Sequence, residues 1–308
     1  MPQSVFDRRA FGLGLASLSA LPPSISLAQT ADGVRTGDFT MGGRLSIGVE
    51  INGEGPFDFV VDSAANASMI SDELALQLGL PDAGVMDVNT LIDRERMSSV
   101  RPDLVRAGAM NIRSPRLALA SRYGLNGADG LLGSDMLQDL KLVLNFRRRN
   151  RVSIHRSSKV HAGFLDPPRP TTRLTNRGER HFGTLISIAV RTNGVHGRAI
   201  IDTGAETTII NRAMAAAGAR ASFLTDGSRE KMISSPSGRS APATVMSLSN
   251  LEFAGVGLQQ VPVLVGDYHV FDIWGVREQP SMLMGVDILG LFRTVSIDLR
   301  RAELVLEV

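Results

Sequence analysis

Two aspartates in this chain, Asp62 and Asp202, occupy the same local setting. Each ends an apolar strand and opens a turn of small residues, Asp62-Ser63-Ala64-Ala65 and Asp202-Thr203-Gly204-Ala205. A single Asp-x-Gly turn says little, because such tripeptides are ordinary turn chemistry. Two, each delivered by a strand, suggest a pair of carboxylates that face one another. Carboxylates held close cannot both ionise cheaply, so one keeps a proton that the pair shares. The ionised member can take a proton from a bound water while the protonated member polarises a carbonyl. That chemistry needs neither a metal nor a cofactor. The remaining composition offers no rival: there is no cysteine, and hence no thiol nucleophile, disulfide or Cys-based metal site. The five histidines (His155, His161, His181, His196, His269) lack the spacing of a zinc helix, so no metal site is expected.

The elements that position these aspartates occur twice. Leu45 to Ile51 alternates apolar residues into Asn52-Gly53, and Leu185 to Thr192 runs into Asn193-Gly194, the strongest short hairpin signal. The aspartate follows the asparagine by ten residues in the first copy (62 − 52) and by nine in the second (202 − 193). Six residues beyond each aspartate comes a hydroxyl, Ser68 and Thr208. Helix caps follow: Ser71 before a helix closed by Gly79, and Asn211 before one closed by Gly218. Later, Leu131-Leu132-Gly133-Ser134-Asp135-Met136-Leu137 pairs with Leu283-Met284-Gly285-Val286-Asp287-Ile288-Leu289. Each copy closes on two strands around a charged turn, Leu142–Phe146 with Val152–Ile154 and Val295–Leu299 with Leu304–Leu306. An ordered repeat over so much of the chain predicts a two-lobed pseudo-dimer with the aspartates meeting between the lobes.

As a set, Val60-Val61-Asp62-Ser63-Ala64-Ala65, Ile200-Ile201-Asp202-Thr203-Gly204-Ala205, Leu131-Leu132-Gly133 and Leu283-Met284-Gly285 resemble the aspartic peptidase clan, specifically its retropepsin-like families. The resemblance implies a mainly β fold of two related closed β-barrel lobes, each with one or two short helices. It implies that Asp62 and Asp202 are the catalytic pair of an endopeptidase acting on polypeptides, with no cofactor. Ser63, Ala64, Ser68 and Gly133, with Thr203, Gly204, Thr208 and Gly285, would support the catalytic turns. The Ser63 and Thr203 hydroxyls would bond across the lobe interface, and each apolar-apolar-Gly segment would brace a turn.

One position departs from the family pattern: Ala64 stands where the family has glycine. If the turn requires glycine's freedom, Asp62 is misplaced, and the chain becomes a silent peptide-binding module; otherwise the methyl only trims the space near the scissile bond. A third arrangement, Asp202 paired with another copy in a homodimer, is disfavoured because lobe one supplies its own aspartate. Alanines at 65 and 205 replace the hydroxyl residue with which pepsins stabilise the ionised carboxylate, which predicts an optimum at mildly acidic to neutral pH. Ser235-Pro236-Ser237-Gly238 reads as the tip of a substrate-covering flap in lobe two, while the charged stretch Val85–Ala107 shows no flap pattern. Tyr268, Phe271 and Trp274 precede the second glycine motif and read as loop-packing residues rather than pocket lining.

Residues 1–28 carry Arg8-Arg9, an apolar run and Ser26-Leu27-Ala28 before a cleavage point, the order of a twin-arginine-like export signal. The expected divisions are therefore a signal peptide at 1–28, lobes at 29–156 and 181–308, and a linker at 157–180; the role of residues 29–43 is open. Periplasmic localisation and a monomeric state without stable membrane insertion follow as expectations. The formal charge of +2 and the absence of aromatics interleaved within Arg147-Arg148-Arg149-Asn150-Arg151 argue for a solvated turn there and against nucleic-acid binding.

Overall fold

The computed structural model describes residues 25–26, 45–147, 151–157, 173–181, 185–217 and 230–308. The signal segment apart from Ile25–Ser26, residues 29–43, the Gly218 helix stop and most of the arginine-rich turn lie outside these residues.

Each Asn-Gly turn has both residues in the left-handed region, φ 54° and 90° at Asn52-Gly53 and 48° and 81° at Asn193-Gly194. These are the type I′ turns that match the twist of a hairpin, and they join strands Ser46–Ile51 with Glu54–Val61 and Leu185–Thr192 with Val195–Ile201. The second strand of each hairpin then takes a parallel partner from the glycine motif, Leu131 opposite Val60 and Leu283 opposite Ile200. Burial on both faces explains why these segments read as unbroken apolar runs.

In lobe two the strand order closes on itself: Val256–Val265, Ile209–Ile210, Ser281–Met284, Val195–Ile201, Leu185–Thr192 and Ser240–Phe253, the last pairing back to the first. Lobe one follows the same path, but its two long strands are cut. Arg94–Val100 and Leu104–Ala107 flank Pro102, and Met110–Arg113 and Leu117–Ala120 flank Pro115. A proline lacks the N–H a ladder needs, so the hairpin breaks there. The short helices fall where the caps predict. Ser71 Oγ accepts from Leu74 N at the start of Asp72–Gln77, and Asn211 Oδ1 accepts from Met214 N at the start of Arg212–Ala217. Lobe two carries three helices rather than one or two, because the aromatic loop forms a turn of helix at His269–Ile273 in addition to Val286–Leu289.

The closing hairpins of the two copies do not stay apart. Strand Leu140–Asn145 pairs with Arg151–Arg156 on one side and with Thr294–Asp298 of the second copy on the other, Leu142 facing Ile297. With Glu303–Glu307 and Arg173–Arg177 they form one five-stranded sheet shared by both copies. Strand Arg173–Arg177 lies inside the stretch expected to be linker, and Glu179–His181 crosses from it into the expected start of lobe two. Leu174, opposite Leu306 and packed on the core, accounts for the first of these strands. A single core runs from Phe59, Leu132 and Leu142 in one copy to Ile201, Met284 and Leu306 in the other. Each such buried side chain contributes roughly 1.5–3 kcal/mol, so the lobes cohere as one body.

Candidate active site

Both aspartates sit at the ends of their strands with the same clasp. Asp62 Oδ1 accepts from Ala64 N and Ala65 N at 2.9 and 2.8 Å, and Asp202 Oδ1 accepts from Gly204 N and Ala205 N at 2.9 and 3.0 Å. The clasp leaves the second oxygen of each carboxyl turned to the partner lobe. A Cβ built on Gly204 would lie 2.3 Å from Asp62 Oδ2, which places the two turns against one another across the interface.

The neighbouring hydroxyls fasten the turns together. Ser63 Oγ donates to Ile201 O at 2.8 Å and accepts from Thr203 N at 3.2 Å. Thr203 Oγ1 donates to Val61 O at 2.7 Å and accepts from Ser63 N at 3.0 Å. All four groups are buried, and four such bonds fix the separation of the aspartates more tightly than packing alone would.

Burial pushes the Asp202 carboxyl well above the usual carboxylate range, and the charge of Asp62 beside it raises it further. The Gly204 and Ala205 N–H groups pull in the opposite direction, while a hydrogen bond with the Asp62 carboxyl adds to the rise. Asp202 is only 6% exposed, whereas Asp62 is half-buried. This unequal burial is an asymmetry that the matched sequences do not reveal.

Ala64 leaves this geometry intact. Neither Ala64 nor Gly204 has a positive φ, so the turn makes no demand for left-handed backbone. Glycine is needed at 204 for a different reason, the approach of Asp62. The Ala64 methyl instead packs against the apolar cluster of lobe two that contains Phe271 and Trp274.

Ser68 and Thr208 lie beneath the turns. Each hydroxyl accepts from the glycine of its own motif, Gly133 N at 2.9 Å and Gly285 N at 3.0 Å. Each donates in turn to an aspartate two residues beyond that glycine, Ser68 to Asp135 and Thr208 to Asp287, both at 2.7 Å. Neither Asp135 nor Asp287 was singled out by the sequence reading, although both copies of the motif contain them.

The predicted tip Ser235–Gly238 does form a tight turn, with Ser235 N donating to Arg239 O, between strands Glu230–Ser234 and Ser240–Phe253. It reaches lobe one: Ser237 Oγ donates to Glu95 at 2.5 Å, and Arg239 bonds Asp93 at 2.7 Å. Lobe one has a matching hairpin where none was expected, Asp82–Asn89 with Arg94–Val100. Its inward face, Val88, Met97 and Ser99, alternates correctly, but charged residues on the outer face hide the pattern. The tip of this hairpin crosses to lobe two, where Leu91 O accepts from Val270 N at 3.4 Å and Asn89 pairs with His269 at 3.2 Å. Each hairpin thus docks on the opposite lobe, and together they roof the seam between the lobes. Tyr268, Phe271 and Trp274 are at most 6% exposed and pack beneath this roof as interior residues. Among the described residues no group of three His, Asp or Glu side chains could hold a metal ion.

Two lobes with the same strand path each bring one aspartate, Asp62 and Asp202, to a shared interface. The family model described as aspartyl protease matches residues 47–136 and 188–288, one match per lobe. The chain belongs to that family. Among solved structures it is similar to a retropepsin-like aspartic protease from Rickettsia conorii. That match has 16% identity and a TM-score of 0.29, and covers 44% of this chain and 90% of that one. No curated protein matches it.

Proposed function

We propose that this protein is an endopeptidase that hydrolyses peptide bonds with one water activated between Asp62 and Asp202. The observation that carries the reading is the paired carboxylates, each clasped by two N–H groups, with Asp202 raised by burial and by Asp62. Ionised Asp62 takes a proton of the water as its oxygen attacks the carbonyl carbon, and protonated Asp202 hydrogen-bonds the carbonyl oxygen. The C–N bond of the tetrahedral intermediate then breaks as its nitrogen takes the proton from Asp62, which returns the pair to its starting state. The pair titrates as a unit, so its two apparent pKa values belong to both residues. The intact clasp at Ala64 supports catalysis over the silent binding module. The half-buried Asp62 from the same chain supports an intramolecular dyad over a homodimer. With Ala65 and Ala205 contributing no hydroxyl, the optimum falls at mildly acidic to neutral pH. The leader sequence supports action on exported or envelope polypeptides, a location that fractionation of tagged protein would check.

Peptide cleavage by the purified protein, assayed on an unbiased peptide mixture over about pH 3 to 8, tests the proposal. Activity should vanish in both Asp62→Asn and Asp202→Asn. A folded wild-type protein that binds peptides without cutting them across that window would sink it.

A further inference from the structure

Asp287 is 1% exposed, at the second position of the helical turn Val286–Leu289 directly behind the Asp202 loop. Its Oδ2 accepts from Thr208 N at 2.7 Å, and its Oδ1 accepts from Thr208 Oγ1 at 2.7 Å and from Ile288 N at 2.9 Å. The Thr208 hydroxyl already accepts from Gly285 N, so its single proton points to Asp287. The polarity of the chain is therefore fixed, running from Gly285 N–H through Thr208 Oγ–H to the carboxylate. Every named partner of Asp287 is a donor. A proton added to Oδ2, which takes one named donor, would find no acceptor among these partners, and removing the charge would weaken all three bonds.

The chain ends at the dyad. Gly285 is wedged against the turn, where a Cβ would lie 2.7 Å from Ala205 O and 3.1 Å from Thr207 C. Val286 N donates to that same Ala205 carbonyl at 2.9 Å, and Ala205 N holds Asp202 Oδ1 at 3.0 Å. One residue, Ala205, separates the brace from the catalytic carboxyl. A displacement of Thr208 or Gly285 is thus passed to Asp202 without slack.

We propose that Asp287 is a positioning residue that works only as the carboxylate: ionised it pins the Asp202 turn, and protonated it releases it. Acid loss of activity then begins at Asp287 and not at the dyad. The inference rests on the peptidase reading above.

Burial pushes the Asp287 carboxyl up to about 6, against the pull of the Thr208 and Ile288 donors, and no charged side chain contributes to the shift. Lobe one repeats the arrangement with a different exposure. Asp135 accepts from Ser68 N at 3.1 Å and Ser68 Oγ at 2.7 Å, but the residue is open to solvent. Burial raises its carboxyl too, again with no charged neighbour among the causes, and water screens that rise. The two braces share one geometry, and the fully buried one carries the larger rise.

The test measures kcat and KM on a peptide substrate from about pH 4 to 8 for the wild type, Asp287→Asn, Asp135→Asn, Thr208→Val and Thr208→Ser. The wild type should lose kcat as the pH falls through the Asp287 titration. Asp287→Asn should lower kcat about ten- to a hundredfold at neutral pH, the scale of a roughly 1 Å misplacement. Its KM should stay within about twofold, and the acid limb should be absent. Thr208→Val removes a donor to the carboxylate and should move the limb to higher pH; Thr208→Ser, which supplies the hydroxyl lobe one uses, should restore it. Asp135→Asn should keep the limb. In the folded wild type the Thr208 amide resonance should titrate with the same midpoint as kcat. An unchanged limb in Asp287→Asn, or a Thr208 amide that does not titrate there, overturns the proposal. Should Asp287→Asn fail to fold, the Thr208 pair and the amide titration still decide. If Asp62→Asn and Asp202→Asn are inactive while these outcomes fail, the brace is wrong and the dyad stands. If the wild type cuts nothing, the peptidase reading falls, and the proposal that rests on it falls too.

Discussion

Replacing Gly204 with alanine separates folding from catalysis at this site. The new Cβ would stand 2.3 Å from Asp62 Oδ2, 2.4 Å from its Cγ and 2.9 Å from its Cβ. Ordinary contact begins near 3.4 Å, so the carboxyl must retreat by about 1.1 Å (3.4 − 2.3). Two of the three obstructed atoms are the end of one side chain and can swing away, while Asp62 Cβ, held to the backbone, needs to give by only a few tenths of an ångström. Overpacking costs about 1–3 kcal/mol where a core must deform, and here the cost falls at the low end. Catalysis is less forgiving: the same retreat breaks the 2.9 and 2.8 Å bonds from Ala64 N and Ala65 N. It also pulls Asp62 from the position opposite Asp202. A misplacement of about 1 Å can cost about a hundredfold. Gly204→Ala should therefore melt within a few degrees of the wild type and lose about a hundredfold or more in kcat/KM. The reciprocal change, Ala64→Gly, opens space without obstructing a carboxyl and should cost less than about tenfold on the same scale. Thermal melts and steady-state kinetics on one peptide suffice. Gly204→Ala with near wild-type kcat/KM would refute the geometry of the dyad.

Other outcomes follow from the same contacts. Thr203→Val strips one donor and one acceptor from the buried interlobe bonds, leaving Val61 O and Ser63 N unpaired. At about 1–3 kcal/mol for each orphaned group, urea unfolding should register a loss of about 2–6 kcal/mol. A loss below about 0.5 kcal/mol would show the lattice to be idle. Arg239→Ala cuts the exposed pairing to Asp93 and Glu95, 58% exposed at the arginine. It should raise KM about two- to fivefold at low salt, the equivalent of about 0.4–1 kcal/mol. The difference should disappear in concentrated salt, and its persistence there would contradict a charge-held roof. Stability against pH follows the sign of the Asp202 shift. Its folded carboxyl is raised, so its contribution is complete below the unfolded value near about 4 and is lost as pH climbs through the raised value. The melting temperature of Asp202→Asn minus that of the wild type should widen from acid to neutral pH, and a constant gap would contradict the shift.

The repeat made the fold legible. Asn-Gly turns, apolar strands and the glycine motifs fix local geometry directly, and doubling removed the ambiguity of each. What escaped depended on contacts distant in the chain. The lobe-one hairpin at Asp82–Val100 carries its polar face outward with Asp87, Arg94 and Arg96, so its alternation was read as irregular. The Arg173–Arg177 strand was read as linker because its partner, Glu303–Glu307, lies more than a hundred residues away. Ser63, Thr203, Ser68 and Thr208 were visible as hydroxyls at matched positions. The aspartates that receive Ser68 and Thr208 were visible too, yet spacing alone does not say which carboxyl faces outward and which lies behind a catalytic turn. The unequal burial of Asp62 and Asp202 is unreadable in principle from a repeat, in which the two residues are equivalent.

The five-stranded sheet binds the two copies in a way that survives any opening of the roof. Strand Leu140–Asn145 has Arg151–Arg156 on one flank and Thr294–Asp298 on the other. A chain severed after the first copy would present the second flank bare, a row of unmatched amides beside Leu142 and Leu144. Such an edge recruits the nearest strand that fits, and in solution that strand is its own twin. Half of this molecule, made alone, is thus built to find another half.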